Sequence, residues 1–327
     1  INNEYFTLGR THDKSEYYTG EWQSYANESS TDYLRVGDQL DLSNKLQVGY
    51  GVDASHEKYQ VLNGEEHNRD NYGAYLNINA DFALKYNFGF RVGNEDQNAL
   101  RFGLESGPFF LNVGNSFRRP TLYELNGDGY VDANLDLLPE EAIGYEIGFG
   151  VLSLFRYEFE QAIEYTPGFY EDVTTSETVT DPETGETTVI TTTEQVWNAP
   201  KYYNTGSYET TGLRYAQTFG AFKLGLSYTD TDQARVPKYM TVIGWNQSFG
   251  SHEFDITFRG QFERIPGPYD GDELEDLQNL SFRYIKTFAS EVELALTIDN
   301  MLDEEVEVLP GYDNRGRQFL LTIQRKW

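Results

Sequence analysis

The feature that most limits the fold of this chain is a strict alternation of apolar and polar side chains over long runs. Residues 253–263 alternate phenylalanine and isoleucine with charged or polar residues, and the same pattern recurs over residues 45–53, 82–92, 222–229 and 291–299. A period of two places successive side chains on opposite faces of a β-strand. The chain is therefore predicted to be all-β, with strands that each have one apolar and one polar face.

These runs are longer than the strands of soluble β-proteins. Soluble strands average about five or six residues, whereas the alternating runs here extend over about ten to thirteen. At a rise of about 3.3 Å per residue and a tilt near 45°, such a strand crosses the hydrocarbon layer of an outer membrane, which is about 25 Å thick. The length favours an antiparallel transmembrane β-barrel of the outer-membrane type.

The connections between the runs alternate between short and long. Short turns are predicted near residues 43–44, 81, 106–107, 149–150, 219–220, 249–250 and 289–290, and long loops over residues 54–70, 118–139, 164–200, 265–273 and 300–315. Outer-membrane barrels have this asymmetry because their short turns face the periplasm and their long loops face outside. The connections therefore support the same fold.

The pattern predicts about 17 strands. They cover residues 3–13, 16–26, 32–42, 45–57, 70–80, 82–94, 98–106, 108–117, 139–149, 151–164, 200–218, 221–231, 238–248, 251–263, 275–288, 290–299 and 316–327. Bacterial single-chain barrels have an even number of strands, and with a periplasmic C-terminus an odd count would begin outside the cell. We therefore expect residues 1–327 to be the C-terminal part of a single barrel domain, with upstream strands missing.

Composition and charge exclude several classes of function. The net charge of −28 is the wrong sign for binding a nucleic-acid backbone. Cysteine is absent, which excludes disulfides, thiolate zinc sites and cysteine nucleophiles. The four histidines lack the spacing of a metal motif, and the sequence has neither a nucleophile elbow nor a phosphate-binding loop. We expect no enzymatic activity and no resident cofactor.

Acidic clusters in the long loops are the remaining chemical signal. Asp128, Asp132, Asp270 and Asp272 lie near glycines that let the backbone bend. Because Ca²⁺ prefers carboxylate and carbonyl oxygens, these four residues are candidate Ca²⁺ ligands. The alternative is an acidic, solvated loop surface, since no cluster has the spacing of an EF-hand loop.

Several short motifs lie between residues 116 and 317. Their residues are Ser116, Phe117, Arg118, Pro120, Asn134, Pro139, Glu140, Tyr145 and Glu146, with Asn300, Asp303, Gly316 and Arg317 in the last loop. These motifs resemble those of TonB-dependent outer-membrane receptors, in which a strand ends in a Ser-Phe-Arg-x-Pro element, a loop with Asn-x-x-Leu-x-Pro-Glu follows, and the next strand carries Tyr-Glu-Ile-Gly. Arg214 stands where the family often has a glutamate.

The resemblance implies more than the residues alone. Such receptors are similar in having a 22-strand barrel, an N-terminal plug and a TonB-box, so the predicted strands would be the last 17. It implies import across the bacterial outer membrane of a large scarce nutrient, such as a ferric siderophore or cobalamin. The implied partners are this nutrient ligand, outer-membrane lipid and lipopolysaccharide, and the TonB complex. The TonB complex would be reached through the missing N-terminal region.

The resemblance also indicates where a ligand would bind, because the outer loops of such receptors contribute to the ligand site. Residues 173–194 are rich in threonine around a strong turn signal at residues 181–186, which predicts an extracellular hairpin or else a disordered loop. The aromatic residues around it are candidates for stacking on the ligand: Tyr165, Phe169, Tyr170, Trp197, Tyr202 and Tyr203. Their alternative role is the aromatic belt at the outer membrane interface.

The last strand carries apolar residues at alternate positions up to the C-terminus. Phe319, Leu321, Ile323 and Trp327 would lie on the lipid face, with Trp327 in the aromatic belt. This pattern resembles the terminal signal that the barrel-assembly machinery reads, although the family usually ends in phenylalanine. An ordinary amphipathic strand is the alternative.

Two other functions remain open from the sequence. A passive porin-like channel without a plug would conduct ions without energy coupling. A soluble all-β binding protein, the less favoured alternative, would be a monomer without detergent.

Overall fold

The computed structural model describes residues 4–19, 22–61, 64–95, 97–180, 187–267, 274–288, 292–305, 307–309, 312–313 and 315–325. Its elements are, in order, β1 (Tyr5–Thr19), β2 (Trp22–Ser43), β3 (Leu46–Val61), β4 (Glu66–Asp81), β5 (Lys85–Gly93), β6 (Ala99–Ser106), β7 (Phe109–Arg118), α1 (Leu122–Asn126), β8 (Glu140–Phe149), β9 (Leu152–Glu160), β10 (Ile163–Thr166), β11 (Phe169–Thr180), β12 (Thr187–Asn198), β13 (Lys201–Asn204), β14 (Tyr208–Phe219), β15 (Phe222–Thr231), β16 (Pro237–Phe249), β17 (His252–Arg264), β18 (Leu277–Thr287), β19 (Val292–Asp299), β20 (Glu307–Leu309), β21 (Tyr312–Asp313) and β22 (Gln318–Arg325). Among the described residues, no helix is long and apolar enough to cross a membrane.

Sixteen strands form one antiparallel sheet in which neighbours along the sheet are neighbours along the chain. The order is β1 to β9, then β14 to β19, then β22, and the sheet is not closed between β1 and β22. Three small sheets, β10–β13, β11–β12 and β20–β21, lie in the long connections after β9 and β19. The all-β, antiparallel prediction is confirmed.

The register gathers most apolar positions on one face of the sheet. Val36, Val52, Ala74 and Val92 are direct neighbours across β2 to β5. One residue along each strand, the neighbours are Gly37, Gly51, Tyr75 and Arg91, which form part of the polar face. In a closed barrel the polar face lines the interior, and the apolar face contacts lipid.

The apolar face is exposed instead of forming a core. Leu8, Phe319 and Ile323 are each about two-thirds exposed, at 70%, 68% and 70%. The accessible surface is 21645 Å², whereas a compact soluble chain of this mass exposes about 13,800 Å². Part of this excess comes from the open sheet, which exposes both of its faces. The large apolar side chains exposed on one face favour membrane insertion over the soluble binding protein.

Glycines on the polar face leave room for rings from neighbouring strands. A side chain at Gly51 would overlap the Tyr75 phenol, which lies across the strand pair. A Cβ at Gly49, in contrast, has no neighbour nearer than 4.0 Å. Of these two glycines, only Gly51 is required by close packing.

The short turns lie at one end of the sheet and share a backbone signature. Four two-residue turns begin with a glycine at positive φ: Gly107 (57°), Gly150 (61°), Gly220 (60°) and Gly250 (60°). Two-residue hairpins need this left-handed conformation, and glycine adopts it without strain. The predicted turns at these four places are confirmed, and the long connections lie at the opposite end, called here the long-loop end.

The main sheet has 16 strands among the described residues instead of the 17 predicted. The predicted strands 3–13, 16–26 and 32–42 are in fact two, β1 and β2, and β2 is 22 residues long. Residues 27–32 resemble a loop because they are polar, yet they pair with both β1 and β3. At about 3.3 Å per residue, β2 extends well beyond a hydrocarbon layer of about 25 Å, where a paired strand needs no apolar face.

The corrected count changes the direction of the first strand. With β1 and β2 joined at the long-loop end, β1 begins at the short-turn end, which is also where β22 ends. The main sheet has an even number of strands among the described residues, so the argument for missing upstream strands from an odd count no longer applies. The expectation that residues 1–327 are the C-terminal part of a barrel domain stays a prediction that rests on the resemblance.

Candidate ligand site at the long-loop end

The connection between β7 and β8 folds inward over the polar face. Arg69 of β4 donates from Nη1 to the carbonyl of Pro120 at 2.8 Å, and the Tyr59 hydroxyl of β3 donates to the carbonyl of Gly127 at 2.9 Å. Tyr59 is only 3% exposed. Because Tyr59 and Arg69 both lie on the polar face, this connection covers part of what would be the barrel mouth.

A short capped helix shapes this connection. The Thr121 hydroxyl accepts from the Glu124 amide at 3.1 Å, and the Glu124 carboxylate accepts from the Thr121 amide at 2.7 Å. This reciprocal pair is a capping box, which satisfies two amides at the start of α1. The helix presents Tyr123 toward β3 and β13.

The next long connection is tied to the first by side-chain amides. Asn134 donates to the carbonyl of Tyr202 at 2.9 Å. Asn204 accepts from the Leu138 amide at 2.8 Å and donates to the carbonyl of Gln161 at 2.7 Å. The β10–β13 ribbon and the connection after β7 therefore form one assembly at the long-loop end.

Four tyrosines from three separate segments line up in this assembly, and we call them the tyrosine row. The ring centroids are 5.9 Å apart for Tyr59 and Tyr123, 5.8 Å for Tyr123 and Tyr202, and 5.3 Å for Tyr202 and Tyr165. Tilted and edge-to-face contacts of this length are favourable. The row runs from buried Tyr59 to Tyr165, which is 42% exposed, so its outer end is open to a ligand.

The environment keeps the outer phenols neutral. Burial raises the pKa of both Tyr165 and Tyr202 above the ordinary 10.0, and the carboxylate of Asp128 nearby adds to the rise in each case. Neutral phenols can both donate and accept hydrogen bonds. The outer end of the row therefore combines apolar ring faces with polar hydroxyls.

A cavity of about 640 Å³ lies beside this assembly on the polar face, and we call it the arginine cavity. Its lining includes four arginines, with carboxylates and amides between them: Arg35, Arg69, Arg91, Arg119, Asp53, Glu57, Asn71 and Gln97. A volume of this size is within the usual range for small-molecule sites.

The arginines of this cavity are held in fixed positions. Arg91 pairs with Asp53 at 2.6 Å and Arg69 pairs with Glu57 at 2.6 Å. Arg119 bonds Glu95 and Asn71, while the Arg35 guanidinium stacks over the Tyr75 ring, 4.7 Å from its centroid. This cluster is not visible in the sequence, because its members come from six segments that only strand register and loop docking bring together.

The predicted aromatic residues divide into separate groups. Tyr165 and Tyr202 join the tyrosine row, whereas Tyr170 and Trp197 face each other on β11–β12 with ring centroids 4.9 Å apart. Phe169, one residue from Tyr170, lies on the opposite face of that hairpin, paired with Asn198. Tyr203 follows Tyr202 on β13, so its side chain lies on the other side of the strand.

The acidic residues considered for Ca²⁺ are also separated. Buried Asp128 accepts from the amides of Tyr130 and Val131 at 2.9 and 2.8 Å, which gives it a role in shaping the loop. Asp132 lies where the backbone bridges to Lys201, and Asp270 and Asp272 lie outside the described residues. Within the described part of the chain, no group of three or more histidine, aspartate or glutamate residues could hold a metal ion.

Several motif residues hold the long connections together. Arg118 pairs with Glu124 at 3.0 Å and with Glu140, and Glu140 also accepts from the Ile163 amide at 2.7 Å. On the polar face Glu146 lies 3.7 Å from Arg214, so the arginine that departs from the family pattern has a partner. Phe117 lines the arginine cavity.

The last loop is organised by Asn300, which is 2% exposed. Its side-chain amide donates to the carbonyls of Glu304 and Arg315 at 2.9 and 3.1 Å. Asp303 accepts from the Arg317 amide at 2.7 Å, and a Cβ at Gly316 would lie 3.4 Å from the Asp303 carboxylate. These motif residues therefore act in loop structure.

Comparison with known protein families identifies the family of this barrel. The family described as TonB dependent receptor-like, beta-barrel, matches residues 2–300. The chain belongs to the TonB-dependent receptor β-barrel family. A comparison with curated proteins finds no match.

Several solved structures have the same fold. The siderophore receptor PirA from Acinetobacter baumannii has a TM-score of 0.61 at 14% identity, covering 98% of this chain and 59% of that chain. A mutant ferric enterobactin receptor, PfeA, from Pseudomonas aeruginosa in complex with enterobactin has a TM-score of 0.64 with the same identity and coverage. The copper transporter OprC has a TM-score of 0.58 at 12% identity, covering 98% and 62%.

The family assignment confirms the resemblance and places this receptor barrel in the bacterial outer membrane. It is a family of receptors and transporters. The chain spans only part of the length of these solved receptors, with 59% of the PirA chain and 59% of the PfeA chain covered.

The last strand of the receptor barrel has the predicted orientation in its described part. Phe319, Leu321 and Ile323 pair directly with Ile298, Leu296 and Leu294 on the apolar face. Trp327 lies outside the described residues. A role of these residues in recognition by the barrel-assembly machinery stays a prediction.

Proposed function

We propose that the chain forms the wall and ligand vestibule of an outer-membrane receptor that imports a large scarce nutrient of the ferric siderophore or cobalamin type. The observation that carries the proposal is the tyrosine row beside the arginine cavity, both on the polar face at the long-loop end. Two of the solved structures named above are siderophore or ferric enterobactin receptors, which supports this substrate class.

The site has the chemistry that such a ligand needs. Ring faces of Tyr165 and Tyr202 stack on the flat parts of a large ligand. Arginines at the neighbouring cavity donate hydrogen bonds to anionic oxygen atoms, and their planar guanidinium groups do so with fixed direction. A ferric siderophore offers both features, so we favour it over cobalamin at this site.

The proposed partners follow from the family. The TonB complex would supply energy through an N-terminal region, outer-membrane lipid and lipopolysaccharide would surround the apolar face, and the barrel-assembly machinery would insert the protein. No enzymatic step is proposed.

Ligand binding to the full-length receptor tests the proposal. Purified receptor is titrated with ferric enterobactin and with cyanocobalamin, and the substitution Tyr202→Ala is compared with Tyr72→Ala, which removes a tyrosine from the apolar face. Losing a ring contact of about 1 kcal/mol or more weakens binding about fivefold or more. Equal affinity of both variants for the bound ligand would show that the tyrosine row is not the site.

Energy dependence separates this proposal from the passive channel. Cells with and without a functional TonB complex are compared for uptake of the labelled ligand, and the purified receptor is measured in planar bilayers. We expect uptake to require TonB and the bilayer conductance to be negligible. Steady conductance with TonB-independent uptake would favour the porin-like alternative.

A further inference from the structure

The hairpin β11–β12 is a separate two-stranded sheet that projects from the connection between β9 and β14. Its strands pair residue for residue from Phe169 opposite Asn198 to Thr180 opposite Thr187. The side chains of residues 169–178 and 191–197 are exposed. Both faces of this hairpin are therefore accessible in the described structure.

The two faces differ in chemistry. One face, called here the hydroxyl face, carries an aromatic pair, then a carboxylate and an amide, then two pairs of hydroxyl groups, and then a threonine opposite an exposed valine: Tyr170, Trp197, Asp172, Gln195, Thr174, Thr193, Ser176, Thr191, Thr178 and Val189. The opposite face, called here the glutamate face, carries Phe169, Glu171, Val173, Thr175, Glu177, Thr192, Glu194 and Val196. Acidic residues are concentrated on the glutamate face, so the hydroxyl face is almost uncharged.

The groups on the hydroxyl face are ordered by contacts across the strand pair. The Thr174 and Thr193 hydroxyls are 3.1 Å apart and those of Ser176 and Thr191 are 3.3 Å apart. Successive hydroxyls along one strand are spaced by two residues, or about 6.7 Å. The face therefore presents a row of three hydroxyls on β11 beside a row of two on β12, and both rows lead away from the aromatic pair.

The aromatic pair remains open to solvent. Tyr170 is 68% exposed and Trp197 is 45% exposed, although their ring centroids are 4.9 Å apart. A soluble surface seldom leaves two large rings side by side without a ligand or partner. This pair is the second observation that points to a bound molecule.

We infer that the hydroxyl face binds a neutral polysaccharide outside the cell. The apolar C–H face of a sugar ring packs on the aromatic pair, while sugar hydroxyls exchange hydrogen bonds with Thr and Ser hydroxyls, which both donate and accept. Gln195 and Asp172 supply a planar amide and a carboxylate between the rings and the hydroxyl rows. A repeating polymer suits a repeating row of binding groups.

Charge selects a neutral polymer over an acidic one. Residues 169–198 include seven acidic residues and no lysine or arginine. This hairpin repels the phosphate and carboxylate groups of lipopolysaccharide cores and acidic polysaccharides. The inference goes beyond the proposed nutrient import and does not depend on which nutrient the receptor carries.

Affinity electrophoresis of the full-length receptor in detergent tests the inference. Native gels contain dextran, mannan, laminarin or the acidic polysaccharide alginate, and retardation gives the association constant. We expect retardation by at least one of the three neutral polymers and none by alginate. Migration unchanged by all three neutral polymers would overturn the inference, and so would binding to purified lipopolysaccharide alone.

Matched substitutions on the two faces locate the binding surface. The pair Thr174→Val with Thr193→Val removes hydroxyls from the hydroxyl face and should weaken binding about fivefold or more. The pair Thr175→Val with Thr192→Val makes the same change one residue away on the glutamate face and should leave binding unchanged. Both pairs keep β-branched residues, so the hairpin is retained.

A second comparison removes the aromatic contact. Trp197→Ala should abolish retardation, whereas Val196→Ala on the glutamate face should not. Heat-dependent mobility on gels is measured in parallel to show that each variant is folded. Equal losses of retardation on both faces would contradict the inference.

Discussion

At the scale of single residues, the polar face is organised by close contacts that leave little room for substitution. Gly51 lies under the Tyr75 phenol, while a Cβ at Gly49, two residues away on the same strand, would have no neighbour nearer than 4.0 Å. The same face holds Arg91 against Asp53 at 2.6 Å. Neighbouring positions with the same alternation can therefore differ greatly in what they tolerate.

This contrast gives a matched prediction. Gly51→Ala should force the Tyr75 ring away and destabilise the barrel by about 1–3 kcal/mol, whereas Gly49→Ala should be neutral within about 0.5 kcal/mol. The free energy of unfolding is measured by urea titration in lipid vesicles. Similar midpoints for both variants would contradict the packing described for Gly51.

The tyrosine row also has a pH dependence. Burial raises the pKa of Tyr165 and Tyr202 in the folded state. The stability that the two neutral phenols contribute is therefore complete at any pH below their ordinary pKa of 10.0 in the unfolded chain. This stability is lost as the pH rises through their pKa values in the folded state. Tyrosinate absorbance in an alkaline titration should show phenols that ionise late. Tyr202→Phe should remove one of them, and an unchanged titration curve would argue against burial.

At the scale of elements, the two long connections after β7 and β9 are joined by a few charged and amide side chains. Glu140, the first residue of β8, accepts from Arg118 and from the Ile163 amide. Asn134 and Asn204 complete the link. These bonds make the tyrosine row possible, because its members belong to different connections.

Glu140→Gln should therefore loosen both connections together. The ion pair is partly exposed, so a loss of about 1 kcal/mol in local stability is expected. Hydrogen exchange of residues 119–139 and 161–207 should accelerate, while the strands of the main sheet stay protected. Glu141→Gln, at the adjacent position and on the other face of β8, is the control, and faster exchange in both variants would contradict this role.

At the scale of the whole molecule, a mainly apolar and a mainly polar face run across the main sheet, which has 16 strands among the described residues. The accessible surface of 21645 Å², against about 13,800 Å² for a compact soluble chain, is consistent with a wall that contacts lipid. The family match and the solved receptors give this wall its place in the outer membrane.

A charge placed on each face of β22 tests this orientation. Leu321→Lys should cost about 2–4 kcal/mol because it puts an ammonium group in lipid, whereas Thr322→Lys should be tolerated on the polar face. The yield of folded protein in the outer membrane is measured by its heat-dependent mobility on gels. Similar yields would show that the two faces are not distinguished by lipid.

The sequence by itself determined the all-β class, the lipid-facing positions and the short glycine turns, because alternation and turn chemistry act over a few residues. It also indicated that Tyr165 and Tyr202 belong to the long-loop end. Only the tertiary structure decided that polar residues 27–32 continue a strand, since pairing with both neighbours replaces an apolar face. It alone brought Tyr59 to Tyr123 and assembled the arginine cavity, because strand register and loop docking join residues far apart in the chain.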